Sequence, residues 1–173
     1  MKMTTLLVAA ALLATSDVLL LAENHAATFN VVCAKPDLPP QLKPLVAELV
    51  EQYGSHGVKV WGDRAVAVPL HSSGTPMYFV PVSCGATGNC TWGIVATSPV
   101  RSLGVTVGAV ITVERHGSQW PRIRAFTRTG AGEGDLDTFE FATSEYKLST
   151  SKSLSGATAD KFASCIDNER CCK

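Results

Sequence analysis

Four side chains at alternate positions, Arg122, Arg124, Phe126 and Arg128, follow Trp120 and are the residues best suited to binding chemistry. On a strand, alternate residues share a face, so the three guanidinium forks and the Phe126 ring are expected on one side with Trp120 in the turn beside it, able to hold an anionic ligand or an acidic protein surface. The bland alternative is a solvated outer face crossed by Arg-Glu pairs. As a nucleic-acid site the row is too short, and Glu114, Glu133, Asp135 and Glu140 stand close to it in sequence.

Catalytic combinations are weaker. His71 precedes Ser72-Ser73-Gly74, which offers a base beside a nucleophile, and Glu114 with His116 falls on one strand face as an acid-base pair. Neither comes with a nucleophile elbow, a metal-binding histidine pair or a cysteine-histidine motif. The other histidines, His25 and His56, lie in the leader region and in a turn. Gly130-Ala131-Gly132-Glu133-Gly134-Asp135 looks like a phosphate loop but leads into a strand and carries two carboxylates, both wrong for that role. Glu133, Asp135 and Asp137 alternate like the first ligands of a calcium loop, yet Thr138 and Ser144 occupy the places of its glycine and final glutamate. No cofactor and no metal are expected.

The cysteines carry the firmest information. Six in a chain that opens with Met1-Lys2 and an apolar run through Ala22 read as disulfides of an exported protein. Residues 1–27 are expected to be a signal peptide cleaved near 22 or 27, and residues 28–173 a single globular domain, secreted or periplasmic, with no membrane association after cleavage. Cys84 and Cys90 enclose Gly-Ala-Thr-Gly-Asn and are expected to pair as a ring-stiffened hairpin tip. Joining the neighbours Cys171 and Cys172 would strain the chain, so Cys33 is expected to reach one of them and Cys165 the other. Asn89-Cys90-Thr91 also fits the glycosylation pattern.

Composition frames these residues. With 15 basic against 15 acidic side chains, 46% apolar and 17% charged residues, the 173-residue chain is neither disordered nor an overall basic nucleic-acid binder. An amphipathic helix is predicted over Gln41 to Tyr53, with Leu42, Leu45, Val46, Leu49, Val50 and Tyr53 inward and Pro44 tolerated in the first turn. From Gly57 onward the apolar period becomes two. Strands are predicted at Val58 to Trp61, Arg64 to Leu70, Met77 to Ser83, Thr91 to Thr97, Val105 to Arg115, Arg122 to Thr129, Leu136 to Phe141 and Tyr146 to Ser149. A last helix is predicted within Ser155 to Asp167, with Ala159, Phe162, Cys165 and Ile166 inward. The expected registers put Val82, Val80 and Tyr78 opposite Trp92, Ile94 and Ala96, then Val113 and Ile111 opposite Ile123 and Ala125, then Ala125 and Ile123 opposite Phe139 and Phe141.

The hairpin Cys84-Gly85 to Cys90-Thr91-Trp92, with Gly130-Ala131-Gly132-Glu133-Gly134 and Phe139 downstream, resembles a group of small exported bacterial proteins over Met77 to Leu148. The resemblance implies a bacterial periplasmic or secreted setting and carries no activity. The sequence therefore predicts an α+β fold: an antiparallel meander of about six to eight strands with an N-terminal helix and a short C-terminal helix, stapled by disulfides. The expected function is a non-enzymatic binding protein, an inhibitor or immunity-like partner of another exported protein. The alternatives are a small secreted hydrolase using His71 or His116 and a structural envelope protein.

Overall fold

The computed structural model describes residues 27–54, 63–70, 74–115 and 120–173. The expected leader apart from Ala27, the expected strand at Val58 to Trp61, and all four histidines lie outside the described residues.

Among the described residues the strands form two sheets in which every pair is antiparallel. Strands β1 (Ala27–Phe29), β6 (Val110–Glu114), β7 (Arg122–Gly130), β8 (Glu133–Ala142) and β9 (Glu145–Ser155) make one sheet, in the order β1-β6-β7-β8-β9. Strands β2 (Val66–Pro69), β3 (Pro76–Cys84), β4 (Cys90–Thr97) and β5 (Val100–Gly108) make the other in sequence order. The expected single meander is thus two successive meanders. Helix α1 (Lys43–Tyr53) precedes them and α2 (Ala157–Ala163) follows.

The layering follows from where apolar side chains lie. Phe29, Phe79, Trp92, Ile94, Ile111 and Ile123 pack between the sheets, with the Phe29 ring 4.9 Å from that of Phe79 and 5.6 Å from that of Trp92. Trp92 satisfies its indole N–H on the Gly108 carbonyl at 2.9 Å, so the largest buried ring leaves no orphan donor. Helix α1 covers the outer face of the four-stranded sheet: Leu42, Val46 and Leu49 meet Val80, Val82 and Val95. Pro44 sits in its first turn, where its missing N–H is harmless. Helix α2 covers part of the other sheet, its Ala159 and Phe162 packing with Val110, Phe126, Leu136 and Leu154, joined by Cys165 and Ile166.

The long run expected from Val105 to Arg115 turns a corner at Ala109 and changes sheet. Gly108 permits this, since a β-carbon there would press 3.1 Å from that of Ala125. On β6, Ile111 and Val113 point inward, but on β5 Thr106 is buried and Val107 exposed, so the alternation that one continuous strand from Val105 to Arg115 would carry breaks at the corner.

Two registers also move. Cys84 faces Cys90, but an irregularity between Pro81 and Ser83 shifts the rest by one, so Pro81 faces Trp92 and Phe79 faces Ile94. A proline has no ladder N–H, and strand prolines mark such bulges. Val113 and Ile111 face Ile123 and Ala125 as expected. The β7–β8 turn is tighter than anticipated, with Gly130 opposite Glu133 and Gly132 at φ +70°, so Ala125 faces Asp137 and Ile123 faces Phe139.

Three disulfides form: Cys84–Cys90, Cys165–Cys171 and Cys33–Cys172. They are the chemistry of an oxidising compartment. No helix among the described residues is long and apolar enough to cross a membrane. The terminal clasp has further parts. Thr28 and Lys173 exchange two backbone hydrogen bonds at 3.0 and 2.9 Å. Buried Asn30 accepts from the Val32 N–H at 2.9 Å while its amide donates to the carbonyls of Cys165 and Asn168.

Candidate functional site

The outer face of the five-stranded sheet is built by cross-strand rows. One row runs Thr28, Thr112, Arg124, Thr138 and Thr150 across all five strands. On one side of it Glu114 faces Arg122, and Glu140 faces Lys147. On the other, Val110, Phe126, Leu136 and Lys152 align. The face is therefore polar at one end and apolar under α2.

This division separates the residues expected to act together. Arg122 and Arg124 remain on the polar end. Phe126 lies on the same sheet face but is fully buried, its ring stacked 5.0 Å from that of Phe162 of α2. Trp120 is on the opposite side: its ring stacks on Phe141 at 4.1 Å and stands edge-on to Tyr146 at 6.4 Å, against the core between the sheets. Arg128 lies at the far end of β7, where its backbone is held by Asn89. The expected arginine-aromatic surface is thus two arginines among hydroxyls and carboxylates.

Those arginines border a hollow of about 420 Å³ with Glu114, Thr138, Glu140, Ser149 and Thr150. Arg124 Nη1 donates to Glu114 Oε1 at 2.9 Å and Arg122 Nη2 to Glu140 Oε1 at 3.0 Å. The expected pairing of Ala125 with Phe139 and Ile123 with Phe141 would set Glu140 opposite Arg124; the shifted β7–β8 register gives that place to Thr138 and brings Glu140 to Arg122. The arginine side chains keep 40% and 38% of their surface exposed, so each pair is worth no more than about 1 kcal/mol. Each contact uses one nitrogen of a fork that can make two parallel bonds to a carboxylate. The surface is organised, but weakly committed to its internal partners.

Glu114, the candidate acid of the Glu114-His116 pair, is engaged by Arg124. His71 and His116 lie outside the described residues. Glu133, Asp135 and Asp137 alternate along β8, which begins at Glu133 and not at Leu136 as expected, with Asp135 accepting from Ser153 at 2.8 Å. Among the described residues no group of three histidines, cysteines, aspartates or glutamates could hold a metal ion.

Asn89, which fits the glycosylation pattern, has a structural role. Its amide donates to the Arg128 carbonyl at 2.8 Å and its oxygen accepts from the Arg128 N–H at 2.9 Å, reproducing a strand pairing with a side chain. A glycan on that nitrogen would remove this match. Behind Trp120, the Tyr146 hydroxyl donates to the Pro121 carbonyl at 2.9 Å. Burial pushes this phenol well above its ordinary value near 10.

Sequence reasoning missed Ser149 and Thr150. Strand β9 is exposed at most positions on both faces, so it has no apolar alternation to reveal its length. Its serine, threonine and lysine alternation was the available signal. A second hollow, about 660 Å³, was also missed; it lies between α1 and β5, with Leu45, Tyr53, Val105 and Val107 beside Glu48 and Lys147.

The architecture defines a disulfide-stapled, two-sheet antiparallel protein with a helix on each outer face. No protein-family model, curated protein or solved structure matches the chain.

Proposed function

We propose that the protein is an exported, non-enzymatic binding protein, an inhibitor or immunity-like partner of another exported protein, and that the Arg122-Arg124 hollow is its polar contact surface. The observation that supports this most is the pairing in that hollow. Two half-buried arginines are each joined to a carboxylate through a single nitrogen, beside the hydroxyls of Thr138, Ser149 and Thr150. Weak surface pairs can be exchanged for charge-assisted bonds to a partner's carboxylates at little expense to the fold. The sheet supplies the other requirement, since five hydrogen-bonded strands hold the donors in register before any partner arrives.

The test is affinity capture from the native envelope or secretion medium with wild-type protein and an Arg122→Glu/Arg124→Glu variant of matched melting temperature. A protein retained by the wild type and lost with the variant is expected. Identical retained proteins from both would remove the hollow from the contact surface.

A further inference from the structure

We propose that the protein meeting the Arg122-Arg124 hollow presents a carboxylate and a cation side by side, the carboxylate for Arg122 and the cation for Glu140. This rests on the reading of the hollow as the contact surface and names the chemistry that must fill it. The formal charges lining the hollow cancel, with Arg122 and Arg124 against Glu114 and Glu140. On β9 beside it, Lys147 faces Glu140 across the ladder and has its Nζ 3.5 Å from Glu145 Oε1, while Lys152 stands in the next row opposite Leu136. The surface is therefore close to neutral, and net charge does not select what binds there.

Selection comes from what each contact leaves behind. Of the two internal pairs Arg122-Glu140 is the more exposed: Arg122 Nη2 holds Glu140 Oε1 at 3.0 Å, and the glutamate side chain keeps 52% of its surface. A carboxylate arriving at Arg122 alone would either displace Glu140 or share the guanidinium with it. In both cases two carboxylates stand together as the interface excludes water, and a charge left unmatched there is strongly unfavourable. A cation beside the incoming carboxylate takes up Glu140, so the internal pair and the arriving pair form one alternating array. The hydroxyls suit the same arrival. The β8–β9 ladder slips between Thr138 and Phe139, where Thr138 faces Thr150 and Phe139 faces Leu148, so Ser149 is an extra residue. Successive residues of a regular strand point to opposite faces, whereas this bulge brings Ser149 and Thr150 to the same hollow. A hydroxyl both donates and accepts, so Thr138, Ser149 and Thr150 can serve either member of a charge pair. Because β9 is the edge of its sheet, a protein surface reaches these hydroxyls without displacing a strand.

The experiment takes the protein that the wild type retains from the native envelope or secretion medium and the Arg122→Glu/Arg124→Glu variant does not. Once purified, it is titrated against full-length wild type, Arg122→Gln, Glu140→Gln and the double variant, with a melting curve on each. Each single change should weaken binding by at least about fivefold, and Glu140→Gln should weaken it by a further factor of about three or more in the Arg122→Gln background. Persistence in that background separates a glutamate that meets a cation from one that only positions Arg122. If Glu140→Gln binds as tightly as wild type or more tightly while Arg122→Gln is weakened, or if its effect vanishes in the Arg122→Gln background, the paired-charge partner is overturned and the hollow remains a contact surface. Wild-type affinity in all three folded variants, or no protein lost by Arg122→Glu/Arg124→Glu, would overturn both.

Discussion

The side-chain amide of Asn89 ties the first ring, which closes the β3–β4 hairpin, to β7 of the other sheet. Asn89→Ala deletes both bonds to Arg128 and leaves a backbone N–H and carbonyl seeking water, which should lower stability by about 1 to 3 kcal/mol in a thermal or denaturant melt. Asn89→Asp keeps the acceptor, loses the donor and turns a carboxylate toward the Arg128 carbonyl, so it should not rescue. Tyr146 makes a pH prediction with a definite sign. Its folded pKa lies above the ordinary value near 10, so the folded state keeps a proton that the unfolded chain releases. The contribution is whole below pH 10 and declines as pH rises from there toward the folded value. Tyr146→Phe should flatten the alkaline decline of a denaturant-derived stability profile and, by orphaning the Pro121 carbonyl, lower stability near neutrality by about 1 kcal/mol. An alkaline limb of equal slope in the two proteins would contradict the assignment.

The disulfides act at the scale of elements. On the chain-entropy account, the long Cys33–Cys172 link constrains the unfolded chain by about 5 kcal/mol and either small ring by about 2 kcal/mol. Cys33→Ser/Cys172→Ser should therefore lower the melting temperature more than Cys84→Ser/Cys90→Ser, and the reverse order would contradict the clasp. The docking of α2 gives a sharper test. A β-carbon at Gly134 would lie 2.4 Å from the Phe126 ring and 2.6 Å from the Thr127 carbonyl, so Gly134→Ala must displace Phe126 beneath Phe162. A loss of about 1 to 3 kcal/mol is expected in a denaturant melt, and a neutral outcome would mean that α2 does not pin the ring.

These elements also show what the sequence could reveal. The cysteine spacing and the change from helical to alternating period were sufficient for the Cys84–Cys90 pair, the two helices and most strands, whereas the choice between Cys171 and Cys172 for Cys33 stayed open and the structure makes it Cys172. Register in β3 was not readable from pattern, because Pro81, Val82 and Ser83 are buried on both faces, one side by the core and the other by α1. Apolar alternation identifies a face only when the opposite face is wet; Pro81 was the remaining clue. Phe126 was placed on the correct face, but its burial depends on a helix that returns from 31 residues or more downstream in sequence, beyond the reach of any local pattern. The site suffered from the same limit. Alternation brought Arg122 and Arg124 together, whereas Trp120 lay beyond the strand, where period two no longer applied.

At the scale of the whole molecule, the polar hollow and the two small disulfide rings lie toward opposite ends of β7. Six residues from Arg122 to Arg128 on an extended strand separate them by roughly 20 Å, with the α2-covered apolar patch between. The charge arithmetic agrees with a surface assembled from local contrasts, since 15 basic and 15 acidic residues cancel overall while the arginine strand stands beside an acidic turn. Long-range steering by net charge is therefore weak, and salt should act mainly through contacts within the interface.

The most direct measurement of the central claim is the affinity of the captured partner for wild-type protein and for Arg124→Glu, determined by titration calorimetry with melting curves on both. Since the Arg124-Glu114 pair is worth at most about 1 kcal/mol to the fold, the melting temperature should fall by no more than about 4 °C. Reversing a charge at the contact should weaken binding by at least about tenfold, or 1.4 kcal/mol. Equal affinities in two equally folded proteins would contradict a binding role for this face.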